Sequence, residues 1–81
     1  IKIPEGVTSI GTYAFDGCSS LTNIHIPESV TDIEWSAFSN CSSLVSIKIP
    51  NKVTTIEDLT FYKCTNLESV ELPESIIIVQ I

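Results

Sequence analysis

One dipeptide returns at a fixed interval along this 81-residue chain, and that interval limits the available folds more than any other feature. Ile3-Pro4 recurs as Ile26-Pro27, Ile49-Pro50 and Leu72-Pro73, each time after 23 residues. The other apolar positions keep the same step. Ile1, Ile24, Ile47 and Val70 form one ladder, Val7, Val30, Val53 and Ile76 a second, and Ile10, Ile33, Ile56 and Val79 a third. Leu21, Leu44 and Leu67 recur too, as do Phe15, Phe38 and Phe61, and Cys18, Cys41 and Cys64. A fixed period with fixed apolar positions means that each copy is one coil stacked on the next. The chain is thus expected to form one mostly β repeat solenoid of about 3.5 coils. Its copies would span 1–23, 24–46 and 47–69, with a partial copy at 70–81. It starts in the middle of a repeat and contains no Met, so it is read as a segment of a longer protein.

Within a coil, 21–26 (Leu-Thr-Asn-Ile-His-Ile) is rich in β-branched residues and ends in alternation, which predicts a strand. Ile24 and Ile26 then point inward while Asn23 and His25 point out. Pro27 closes that strand, because it has no N–H to donate and restricts the residue before it. A second extended piece is expected at 30–33, its three-residue apolar spacing implying a twist or bulge. Residues 35–43 then turn back, with a 3₁₀ turn seating Phe38. Helical repeats are disfavoured by a Pro in every copy and by the absence of any sustained 3.6-residue period. In the first copy the inward set is Ile1, Ile3, Val7, Ile10, Ala14, Phe15, Cys18 and Leu21. One such coil cannot hold itself together, so stability has to come from neighbours covering each other's faces.

The string Ile-Pro-x-x-Val-Thr-x-Ile-Gly-x-x-Ala-Phe-x-x-Cys-x-x-Leu-x-x-Ile runs from Ile3 to Ile24 with no departures. It recurs with changes from Ile26 to Ile47 and from Ile49 to Val70. This string resembles the BspA-like leucine-rich repeat, also called the Treponema pallidum type, and the resemblance covers essentially the whole chain. It implies a curved, right-handed leucine-rich-repeat coil with short parallel strands on its inner face. It also implies an extracellular or cell-surface protein of bacteria or protozoan parasites, acting by adhesion or by contact with host or matrix proteins. Such a family fixes architecture far better than ligand. Gly11 is replaced by Glu34, Glu57 and Gln80, so the permissive turn expected at Gly11 is not used in later copies. Ala14 and Ala37 are replaced by Thr60, and the apolar tail 76–81 has the uncharged, β-rich profile of an edge-to-edge self-association segment.

Charge removes two classes of partner. The net charge is -6, with four Lys, no Arg and ten carboxylates. Nucleic acid and anionic lipid both require clustered Lys and Arg, which this chain lacks. No apolar stretch is long enough to insert across a membrane, and no basic region followed by a long apolar run opens the chain.

Residues capable of chemistry recur without assembling into a recognisable site. Three Cys at repeat spacing would stack about 5 Å apart in adjacent coils, running parallel rather than converging, which suits small buried hydrophobes better than a disulfide or a zinc centre. His25, the single histidine, has no orienting acid or nucleophile at motif spacing, so no catalytic site, cofactor or metal is expected. Glu34, Glu57 and Asp58 fall along one edge of successive coils but supply too few converging oxygens for calcium. Trp35 replaces Thr12 and Asp58, and packing against Tyr13 or Leu59 on the back face is preferred to an interface role. Asn40-Cys41-Ser42 matches a glycosylation acceptor but coincides with the repeat's own Cys position.

The outward ladder Lys2, His25, Lys48 and Glu71, flanked by Asn23, Ser46 and Ser69, is the candidate partner-binding face. These positions do not hold the core, and solenoids commonly use such surfaces for partners. A protein-interaction module is the resulting reading, with a structural spacer solenoid as the alternative.

Overall fold

The computed structural model describes residues 2–79. Three expectations therefore fall outside the described residues: Ile1 in its ladder, Gln80 at the Gly11 position, and Ile81 in the apolar tail. Six short strands follow in chain order: β1 Ser9–Ile10, β2 Asp32–Ile33, β3 Ser46–Lys48, β4 Thr55–Ile56, β5 Ser69–Glu71 and β6 Ile78–Val79. They form three parallel pairs, β1 with β2, β3 with β5 and β4 with β6. The register of each pair is the sequence period, since Ser9 faces Asp32, Ile47 faces Val70 and Ile56 faces Val79. Among the described residues there is no helix. The stacked coils of the expected solenoid are what forms.

The extended piece before the second strand carries the distortion that its apolar spacing implies. The Thr8 carbonyl accepts from the N–H groups of both Thr31 and Asp32, at 2.8 and 3.3 Å. The Thr54 carbonyl does the same for Ile77 and Ile78, at 2.8 and 3.3 Å. The strand expected at 21–26 is not among the six. Ile24 and Ile26 are buried while Asn23 and His25 are exposed, as alternation requires, but no regular strand pair forms there. The Val45 N–H donates to the Thr22 carbonyl at 3.0 Å, and regular pairing begins only one copy later, at β3. Alternation reports which face a side chain takes, whereas a strand is made by its ladder to a neighbour.

The return segment divides its N–H groups between two destinations. Phe38 and Asn40 donate across to the carbonyls of Thr60 and Tyr62 in the next coil, at 3.0 and 2.6 Å, and Phe15 and Gly17 donate likewise to Ala37 and Ser39. The intervening N–H groups of Ala37 and Ser39 stay at home, bonding Glu34 and Ser36 three residues back at 3.2 Å each. Three-residue hydrogen bonds thus occur at alternate residues, and the others tie coil to coil. Two left-handed residues per coil make this path: Tyr13, Ser36 and Leu59 at one position, and Gly17, Asn40 and Lys63 at the other. Gly11 is not among them. Its replacement by Glu in later copies is explained by an ordinary backbone, not by a turn that those copies abandon.

The core is deepest in the second copy, where Val30, Ala37, Phe38, Cys41 and Leu44 are all 0% exposed. Phe38 stacks between Phe15 and Phe61, with ring centroids 5.2 and 6.1 Å away. Inward positions lose cover toward either end, because burial of a ladder member needs a coil on both sides. Val7, Phe15 and Cys18 pack inward on the core but are only half-buried, whereas Ala14 is exposed, which corrects its expected inward place. Val79 closes its ladder 55% exposed. Thr60, which replaces Ala37, is buried and satisfies its hydroxyl on the Glu57 carbonyl at 2.8 Å.

Candidate interaction surface

Burial of Ile47 beneath β3 turns Ser46 and Lys48 outward, and the matching turn of β5 exposes Ser69 and Glu71. The parallel register then sets Ser46 beside Ser69 and Lys48 beside Glu71. Lys48 Nζ lies 3.7 Å from a Glu71 carboxylate oxygen, with both side chains mostly in solvent. Such a pair adds little stability, so the two charges remain available to a partner. Lys2, Asn23 and His25 are exposed at the corresponding positions of the preceding copies, outside a regular ladder. All seven candidate residues are therefore solvent-facing, and the structure brings two pairs of them into direct register. An open depression along 17–23 adjoins Asn23, but its lining includes no carboxylate or imidazole to act as acid or base.

The thiol column departs from its expected uniform burial. Cys41 is buried, whereas Cys18 and Cys64 are partly covered, and all three are free. The Cys41 Sγ donates to the Phe15 carbonyl at 3.2 Å and the Cys64 Sγ to the Phe38 carbonyl at 3.1 Å. Burial, reinforced by the neighbouring Cys64 and Cys18, pushes the Cys41 thiol up to about 11, and burial raises Cys64 as well. Thiols shifted in that direction are poor nucleophiles. Asp16 is shifted downward by hydrogen bonds from Ser39 Oγ at 2.6 Å and Asn40 Nδ2 at 2.9 Å. Among the described residues, no group of three or more His, Cys, Asp or Glu is placed to hold a metal ion.

A second exposed feature lies on another part of the coil. Trp35 packs edge-to-face on Tyr13, with ring centroids 5.1 Å apart at 69°. The expected packing partner is thus present, yet Trp35 remains 45% and Tyr13 53% exposed. Packing on the back face is what the sequence predicts for Trp35, but the pair leaves more apolar surface in solvent than packing alone implies. The signal was the lone Trp at a position that the core does not require.

A family model described as the BspA type leucine rich repeat region (6 copies) matches residues 1–81. The chain belongs to the BspA-type leucine-rich-repeat family. The six copies of that description compare with three and a half 23-residue periods here. This BspA-type chain is also similar to a leucine-rich repeat protein from Bacteroides ovatus whose crystal structure is known. The two are 44% identical and superpose with a TM-score of 0.86 over 90% of this chain. The BspA-type segment spans 19% of the length of that protein. No curated protein matches it. The leucine-rich repeat is a general protein-interaction fold, and the family assignment and the solenoid agree.

Proposed function

We propose that this chain is the recognition segment of a cell-surface or secreted bacterial protein, binding a host or matrix protein through its strand face. The observation that carries the reading is the in-register outward ladder at Ser46, Lys48, Ser69 and Glu71, with Lys2, Asn23 and His25 extending it. None of these side chains serves the core, so the fold leaves their identity free for a partner. Their chemistry is mixed: two Lys, one His, one Glu, an amide and two hydroxyls, which suits a polar protein surface better than a lipid or nucleic acid. A surface or secreted location follows the habit of BspA-type proteins. The chain is read as non-enzymatic: among the described residues His25 makes no side-chain hydrogen bond, and the hydroxyl that donates to Asp16 belongs to the buried Ser39. The exposed apolar residues Ile77, Ile78 and Val79 support self-association through 76–81 as a secondary property.

The test is binding of the immobilised chain to a panel of extracellular matrix and host-surface proteins, repeated with His25→Glu/Lys48→Glu. We expect the double variant to weaken the strongest interaction about tenfold or more while the melting temperature stays unchanged. Equal binding by the variant would remove the strand face from consideration. No binding across the panel would favour a solenoid that only spaces other domains.

A further inference from the structure

We infer that the edge carrying Tyr13 and Trp35, distinct from the strand face, docks a basic peptide segment by holding an Arg or Lys side chain against the two rings. The edge is a grid of three consecutive repeat positions in three coils: Gly11-Thr12-Tyr13, Glu34-Trp35-Ser36 and Glu57-Asp58-Leu59. Backbone bonds hold the rows side by side, the Glu34 N–H reaching the Ile10 carbonyl at 2.9 Å and the Ser36 N–H the Asp58 carbonyl at 3.1 Å. Ser36 is buried at the middle of its column, whereas Tyr13 and Leu59 above and below it stand about half in solvent. The fold does not need this apolar surface, because the Trp35 position is Thr or Asp in the other copies. Edge-to-face contact already orders both rings, so a partner has little side-chain entropy left to freeze.

Charge decides what the rings are for. Glu34 precedes Trp35 in the chain, and Glu57 and Asp58 take the Glu34 and Trp35 positions of the next coil, Asp58 exposed and the two Glu half-buried; no Lys lies in the grid. Among the described residues the ion pair is Lys48 with Glu71, and Lys63 sits 5.5 Å over the Tyr62 ring. The grid carboxylates therefore have no internal cation. Aromatic faces attract Arg and Lys, and nearby carboxylates add to that attraction. Arg suits such a site better, because its planar group stacks on a ring and pairs with a carboxylate at once. The carboxylates are spread over two columns and do not converge as a metal site would. A neutral sugar would use the rings but leave those charges unanswered.

Trp35 is the single tryptophan, so its fluorescence reports on this edge directly. We would titrate the full chain with an Arg-Gly-Ser peptide lacking aromatics, and with the same peptide carrying Gln for Arg. A saturable Trp35 signal with the Arg peptide alone is expected, weakening with added salt. The triple variant Glu34→Gln/Glu57→Gln/Asp58→Asn should bind at least about fivefold more weakly. A control of equal charge change, Glu5→Gln/Glu68→Gln/Glu74→Gln, should bind nearly as wild type. Equal losses in the two triple variants would reduce the effect to net charge and overturn the assignment. So would an identical response to the Gln peptide, or saturation only by neutral oligosaccharides.

Discussion

At the residue scale, the repeat's two kinds of glycine separate backbone need from coincidence. Gly17 sits at φ +75°, and a Cβ built on it meets nothing within 4 Å. Gly17→Ala should therefore express backbone strain alone, lowering stability by about 1 kcal/mol. Gly11 has the same free space without the left-handed backbone. Gly11→Ala should raise stability by about 0.4–1 kcal/mol through a less disordered unfolded chain. Urea denaturation of both variants reads the two signs, and a loss in both would refute the distinction. The sequence alone pointed to Gly11 as the permissive residue, because a Gly that vanishes from later copies looks like a turn given up. The true left-handed positions were hidden behind Tyr13, Ser36, Leu59, Asn40 and Lys63, most of which carry no turn signature. Side-chain faces were legible at Ile24 and His25 because period two is local. Backbone conformation at Leu59 was not, since the carbonyls on either side of it, of Asp58 and Thr60, answer the N–H groups of Ser36 and Phe38 in the preceding coil.

At the element scale, the thiol column shows how stacking changes chemistry. Cys41 lies under cover on both sides, and its thiol titrates near 11 instead of the usual 9.0. The fold disfavours the thiolate, so the native state keeps its proton where the unfolded chain has lost it. Stability tied to Cys41 is therefore complete below about pH 9 and is lost as pH rises from about 9 toward 11. The slope can reach about 1.4 kcal/mol per pH unit for one proton. Subtracting the stability of Cys41→Ala from that of the wild type at each pH cancels the titration of Tyr and Lys. The wild-type advantage should shrink between pH 9 and 11, and a flat difference would contradict the burial. Native-state alkylation at pH 8 should likewise modify Cys41 last. The three Cys were visible as a ladder in the sequence, but their unequal cover was not, because it depends on how many coils lie on each side.

At the scale of the whole molecule, one number governs nearly every contact between coils. Strand pairs join residues 23 apart, return-segment bonds join residues 22 apart, and Ser29 Oγ links Gly6 and Val7 across the Pro turns at 3.1 and 2.7 Å. Inserting a second copy of residues 24–46 directly after residue 46 should thus preserve every existing type of contact. It would also add another coil with neighbours on both sides, the environment in which Phe38 and Leu44 reach 0% exposure. Because stability in a solenoid is a sum of repeat and interface terms, the extended chain should melt higher than the original. Its urea m-value should rise by about a quarter to a third, following the surface buried. The same insertion with one extra Gly at the junction breaks the count. A one-residue slip moves inward side chains to the solvent face, so that variant should melt below the original. If both insertions behaved alike, the period would be a feature of sequence without a matching rule of assembly.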